Sequence, residues 1–218
     1  MAHTTLDIKE PGLNVLPPGV ERHVVNAGGL TGLQIFPDDE IEIINEEGNQ
    51  ICELICFDKN GKSDLGILNQ KENGKKSFIK EILKRKDESS LVTNLQLKKR
   101  NLDINKSTSS ILFDDKTPSG EKIKIKSKDK CYVIFSAPQN DMLVSDQNPS
   151  SDLTIFIKRA KIVNDKELSI IPDPVYEPNY EKNIEKETAI SFQVEEGDYI
   201  QIISPAGRQC SDFVAFDT

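Results

Sequence analysis

Two stretches of the chain carry the same order of apolar and polar positions. Residues 29–58 read GLTGLQIFPDDEIEIINEEGNQICELICFD, and residues 188–217 read TAISFQVEEGDYIQIISPAGRQCSDFVAFD. They align without a gap at an offset of 159 residues. Nine of the thirty positions are identical: Gln34/Gln193, Asp39/Asp198, Ile41/Ile200, Ile43/Ile202, Ile44/Ile203, Gly48/Gly207, Gln50/Gln209, Phe57/Phe216 and Asp58/Asp217. In each copy isoleucines alternate with polar residues, the period of a half-buried strand. A tight turn follows, at Asn45–Gly48 and at Ser204–Gly207. Pro205 presets φ at the second turn position, and Gly207 suits the fourth. The next strand is apolar on both faces, which predicts cover on both sides. Each copy thus predicts two strands joined as a hairpin.

An acid interrupts each of those second strands. Asp212 shares a strand face with Cys210, Val214 and Phe216, and Glu53 lies at the aligned position between Ile51 and Ile55. Burying a carboxylate costs several kcal/mol unless it is paired or protonated. Two roles stay open for Asp212: a site carboxylate, or an acceptor of backbone hydrogen bonds that pins the hairpin.

Elsewhere the pattern predicts strands over Val20–Val25, Ser110–Phe113, Glu121–Lys126, Cys131–Ser136 and Thr154–Ile157. Lys59-Asn60-Gly61-Lys62 is a turn signal. Ser77–Lys86 predicts a short amphipathic helix with Phe78, Ile82 and Leu83 on one face. Residues 90–102 fit a helix through Leu91, Leu95 and Leu102, or a strand through Leu95 and Leu97. Residues 138–152 predict a long loop, with Asn140 and Asp141 as candidates for polar contacts. The three prolines of 172–180 predict a stiff connector. The fold class that follows is mainly β with one or two short helices, in β-sandwich or barrel-like sheets built from a duplicated strand–turn–strand unit. Residues 1–160 form a first β unit with a helical, basic insertion at about 71–130. A Pro-rich connector spans 161–186. Residues 187–218 begin a second, truncated copy, expected to pack beside the first unit or against another chain, since an isolated hairpin is marginal in water.

Composition narrows the function classes. The 218 residues carry a net charge of −8, which argues against general nucleic-acid binding. Residues 71–130 are the exception, with 17 Lys and Arg against 9 Asp and Glu. That stretch reads as a solvated basic face or as a surface that docks on an acidic one. No run approaches the ~18 apolar residues of a membrane span. The N-terminus lacks the charged-then-apolar pattern of a signal peptide, so a cytoplasmic protein is expected. Of the cysteines, Cys52 and Cys56 are four apart, which on a strand is about 13 Å, too far for one metal ion to bridge. They read as buried, reduced thiols. His3 and His23 are the only histidines, and His23 reads as a strand residue with a polar tip. No dinucleotide, phosphate-loop, zincin or nucleophile-elbow motif occurs.

At Gly207-Arg208-Gln209-Cys210-Ser211-Asp212-Phe213 the sequence resembles the urea carboxylase-associated domain family. Members of that family carry a hydrophobic strand, a Gly-x-Gln turn and an x-Asp-hydrophobic strand. The stretch PPGVERHVVNAGG (17–29) and the first copy are similar to the leading portion of larger bacterial proteins of the trimethylamine-N-oxide demethylase type. In those proteins this domain is fused to a folate-binding, glycine-cleavage T-protein-like domain. The resemblance implies the N-terminal part of an aldehyde-lyase that splits trimethylamine N-oxide into dimethylamine and formaldehyde, the formaldehyde passing to tetrahydrofolate. It implies Asp212 as the catalytic carboxylate, with Gln209 and Ser211 as weaker, substrate-binding candidates. Zinc and tetrahydrofolate are implied for the full-length relative only. This chain lacks the folate domain and the downstream His-Asp and cysteine segment that supplies zinc ligands, so no metal ligand carries over. The partners implied are a small methylated amine and the remainder of the polypeptide or another chain, with a homo-oligomer left open. Two alternatives stand beside this: a non-catalytic assembly module of a larger aminomethyltransferase-like protein, or a urea carboxylase accessory protein.

Overall fold

The computed structural model describes residues 16–17, 19–74, 77–139, 149–161, 178–185, 187–202 and 210–216. Among these residues eight strands form: β1 (Val20–Val25), β2 (Leu30–Ile35), β3 (Glu40–Asn45), β4 (Cys52–Asp58), β5 (Ser109–Phe113), β6 (Glu121–Lys126), β7 (Cys131–Ser136) and β8 (Leu153–Lys158). Two helices, α1 (Phe78–Ile82) and α2 (Glu88–Lys99), lie between β4 and β5. The strands form two antiparallel four-stranded sheets, ordered β1-β8-β3-β6 and β2-β7-β4-β5. Consecutive strands other than β4 and β5 cross between the sheets, in the interleaved order of a jelly-roll sandwich. The expected mainly-β sandwich is therefore what forms, and it is not a closed barrel.

Alternation explains the first sheet. Ile41 and Ile43 on β3 are fully buried and sit opposite Ile125 and Ile123 on β6, and Ile157 and Ile155 on β8. The intervening Glu42 faces outward, where Lys124 pairs with it at 3.2 Å. The second sheet is covered on both faces. Cys52, Leu54 and Cys56 of β4 point into the core between the sheets, whereas Ile55 and Phe57 join Ile79, Ile82 and Leu97 in a second core beneath the helices. This double cover is what the apolar pattern of the second strand of the first copy predicts.

The connection between those strands differs from the expected hairpin. β3 pairs with β6 and β8, β4 with β5 and β7, so the turn is a corner that carries the chain from one sheet to the other. An apolar run reports that a strand is buried, not which sheet it joins. The corner is closed by side-chain amides. Asn45 Nδ2 donates to the Gln50 carbonyl at 2.9 Å, and Gly48 N donates to Asn45 Oδ1 at 3.0 Å. Gly48 has φ +80°, and a Cβ there would lie 2.6 Å from the Ser119 backbone nitrogen.

α1 buries Ile79 and Ile82, and Leu83 just beyond it is buried too; the sequence pattern pointed to Phe78, Ile82 and Leu83. Residues 88–99 are helical, which settles the ambiguity at 90–102 in favour of helix. The buried face differs from the leucines expected: Ser90, Thr93 and Leu97 face the sheet, while Leu91 is exposed. Ser90 can be buried because its hydroxyl donates to the Ile82 carbonyl at 2.8 Å and its amide to the Asp87 N-cap. Among the described residues of the second copy, 187–202 and 210–216, no strand is assigned.

Gly48→Ala is expected to cost about 1–3 kcal/mol, because left-handed strain adds to the backbone clash. Gly120 shares a positive φ of +76° but has nothing within 4 Å of an added Cβ. Gly120→Ala should therefore cost less, about 1 kcal/mol. Urea midpoints of the two variants check the order.

Candidate functional site

The first copy shows what its repeated residues do. Gln50 is buried, and its Nε2 donates to the carbonyls of Ile51 and Pro138 at 2.9 and 3.0 Å. Its Oε1 accepts from Ser151 N at 2.8 Å. One side chain thus joins the two ends of the segment between β7 and β8. Glu53, fully buried on the helix side of β4, accepts from Ile79 N at 2.6 Å and so caps the first turn of α1. Its other oxygen, Oε1, has no partner among the described residues, and neither has Oγ of Ser136, the residue paired opposite it on β7.

The sequence-derived candidates lie elsewhere. Asp212 and Ser211 are exposed, in a stretch where no strand is assigned among the described residues. Gln209 lies outside the described residues, as do Asn140 and Asp141. Of the three site candidates, Ser211 and Asp212 alone fall within the described residues.

What the structure does assemble is a cleft of about 790 Å³ along β1 and β2, one edge strand of each sheet. At one end Arg159 holds two carboxylates. Its Nε and Nη2 grip Glu21 at 2.7 and 2.9 Å, and its Nη1 reaches Asp39 Oδ2 at 2.6 Å and the Gln34 carbonyl at 3.0 Å. Asp39 in turn accepts from Phe36 N at 3.0 Å and Ala160 N at 3.0 Å. His23 Nε2 lies 2.9 Å from Glu21. Burial pushes the Glu21 carboxyl up, but the hydrogen bonds and charges of His23 and Arg159 more than offset this and hold it below its ordinary value. Arg159 is raised: its two carboxylates outweigh the opposing effect of burial.

At the other end the Tyr132 hydroxyl crosses the backbone of β2 to reach Gln96 Oε1 on α2. Gly32 makes that crossing possible, since a Cβ there would overlap the hydroxyl oxygen. The Arg100 guanidinium stacks 4.6 Å above the Tyr132 ring. Of these groups the repeat marked Asp39 and Gln34. Arg159 carried no signal, because it lies 120 residues from Asp39 and belongs to no local motif.

The thiols fit the sequence reading. Cys52 and Cys56 are buried and free, as is Cys131, while Cys210 is exposed. Burial and the neighbouring Glu53 charge push the Cys52 thiol up. Cys56 is raised by its hydrogen bond to Cys131 and by burial. Among the described residues no three His, Cys, Asp or Glu side chains converge on a common point. Among the described residues these donors do not fit a zinc ion. No helix among the described residues is long and apolar enough to cross a membrane.

Fold and cleft define the chain as a jelly-roll β-sandwich with a groove along one edge that carries the Glu21–Arg159–Asp39 cluster. Its sequence is similar to a trimethylamine-oxide aldolase from Ruegeria pomeroyi, 34% identical over 209 residues, which is 96% of this chain and 26% of that protein. The chain thus spans about a quarter of the length of the curated relative it matches. No protein-family model matches the chain. A DUF1989-family protein from Silicibacter pomeroyi is a structural neighbour at a TM-score of 0.39 and 10% identity, covering 67% of this chain and 82% of that one.

Arg159→Gln leaves two carboxylates facing each other with Asp39 buried, so it should destabilise the sandwich by about 3–5 kcal/mol in denaturant titrations. The pH dependence has a defined sign. Glu21 has a lowered folded value, so its contribution is complete above its unfolded value near 4.5 and is lost as pH falls through the folded value. Removing Arg159 should flatten that acid limb of stability against pH. A thiol reagent should modify Cys210 alone in the native chain and all four cysteines after unfolding.

Proposed function

We propose that this chain is the N-terminal part of a trimethylamine-N-oxide demethylase-like lyase. The observation that supports it is the 34% identity to a trimethylamine-oxide aldolase over 209 residues. A match of that length leaves nine of the 218 residues unmatched. It therefore takes in the whole first copy and most of the second, whichever end those nine lie at.

The reaction conserves atoms and needs no external oxidant. Trimethylamine N-oxide carries a cationic nitrogen bonded to an anionic oxygen. Breaking the N–O bond while a methyl C–H gives up its proton leaves a methylene iminium, the oxygen departing with the N–O electron pair and that proton as hydroxide. Return of the oxygen to that carbon gives a carbinolamine, which releases dimethylamine and formaldehyde. Asp212 has the chemistry for two tasks here: it attracts the cationic nitrogen, and it takes up and returns a proton. Ser211 and Gln209 would orient the oxygen. Zinc and tetrahydrofolate enter this reading only through groups beyond the described residues.

Asp212→Asn in the complete gene product should lower dimethylamine and formaldehyde release from trimethylamine N-oxide by about 100-fold or more, with the melting temperature unchanged. Full activity in that variant overturns Asp212 as the catalytic carboxylate. A loss of assembly or stability in its place supports the non-catalytic assembly reading. Wild-type product without dimethylamine release overturns the lyase itself.

A further inference from the structure

The exposed apolar residues of the chain are not scattered. Of the large hydrophobics exposed among the described residues, all but Leu91 lie between Tyr180 and Phe216. Their spacing repeats the first sandwich. Phe192, Val194, Ile200 and Ile202 are 45%, 50%, 37% and 57% exposed. The residues 159 positions earlier, Leu33, Ile35, Ile41 and Ile43, are at most 9% exposed. Phe213, Val214 and Phe216 likewise follow the buried Leu54, Ile55 and Phe57.

The backbone repeats as well. Before β3 the chain turns with Asp38 at φ +67°; the aligned Gly197 has φ +92°. In the first copy Phe36 N donates to Asp39 Oδ2 at 3.0 Å and Asp39 N to the Phe36 carbonyl at 3.2 Å. In the second copy Glu195 N donates to Asp198 Oδ2 at 2.8 Å and Asp198 N to the Glu195 carbonyl at 3.1 Å. The same turn therefore forms in the second copy without a sheet to hold it.

We infer that residues 188–202 and 210–216 are the β2–β3–β4 counterpart of a second jelly roll, and that their apolar face is an interface for further strands of the same polypeptide. The offset assigns the faces. Ile200, Ile202 and Phe213 turn toward the space between two sheets, as Ile41, Ile43 and Leu54 do. Asp212, Val214 and Phe216 turn toward an outer layer, as Glu53, Ile55 and Phe57 do toward α1 and α2. Seven large hydrophobics in water are a strong drive toward cover, each gaining about 1.5–3 kcal/mol when fully buried. The curated relative, of which this chain spans 26%, has the length to supply that cover. Residues 20–158 already close their own two sheets and leave no sheet position for these strands except an edge. The inference draws on the relative for its length alone and holds whatever substrate the protein takes.

Hydrogen exchange followed by mass spectrometry tests it. Peptides from 188–202 and 210–216 should exchange freely in the 218-residue chain and at least about 100-fold more slowly in the complete gene product. In the complete product, Asp198→Ala should remove the turn contact and Val214→Asp should place a charge in the interface. Each should lift that protection while peptides from 20–158 keep theirs. Free exchange of the segment in the complete product overturns the inference. So does protection in the 218-residue chain that grows with protein concentration, which would make the partner a second copy. Dimethylamine release is not read in this experiment, so its outcome is separate from that of the lyase assay.

Discussion

Cover on both faces of the sheet β2-β7-β4-β5 is the constraint from which most of this structure follows. A sheet buried on one face only could place its polar side chains in water. Here β4 is buried from Cys52 through Phe57, so the carboxylate at Glu53 has to be met inside the protein. Ile79 N meets it, and that fixes where α1 begins. α1 and α2 together then enclose the second core, and α2 forms the outer wall of the cleft through Gln96 and Arg100. The acid in the apolar strand is thus, in this copy, a structural acceptor that seats a helix.

The second constraint is the crossing from sheet to sheet. Every jelly-roll corner lets two layers drift apart unless something ties them. At the β3–β4 corner the ties are Asn45, Gly48 and Gln50. At the open edge Arg159 is the tie, drawing β1 and the turn before β3 onto the end of β8. Its three acceptors, Glu21, Asp39 and the Gln34 carbonyl, come from three segments of chain. Removing the cation would leave charge without partner, which is why such a cluster is fragile although its net contribution relative to an apolar replacement is small.

Much of this architecture was legible in the sequence, because period-two patterns survive burial. β1 is predicted to the residue, and β6 and β7 likewise. The corner was read as a hairpin since Asn45-Glu46-Glu47-Gly48 has turn chemistry either way, and pairing partners are set by tertiary contacts the local pattern does not encode. The α2 face escapes the local pattern because Ser90 and Thr93 lie inward, the serine satisfied by hydrogen bonds that only the folded chain supplies. The cleft was hidden for a related reason: Glu21, Asp39 and Arg159 meet through topology, not spacing. The repeat, by contrast, pointed at residues that matter. Gly48, Gln50 and Asp39 each have an observed structural task, and Asp198 performs the same local task in the second copy.

That correspondence bears on what Asp212 can do. Two unit charges 4 Å apart interact by about 1 kcal/mol in water and about 4 kcal/mol at the effective dielectric near a protein surface. An exposed carboxylate therefore holds the nitrogen of an amine oxide weakly, and bulk water competes for every proton it might carry. Under an outer layer like the one above Glu53, the same group would act in a far less polar medium. Glu53 spends one oxygen on a helix amide and leaves the other buried without a partner among the described residues. A carboxylate in that posture has one oxygen anchored and one free to accept or give up a proton. Burial of the strand that carries Asp212 would strengthen the catalytic proposal, whereas the inference of a covered second sandwich stands without it.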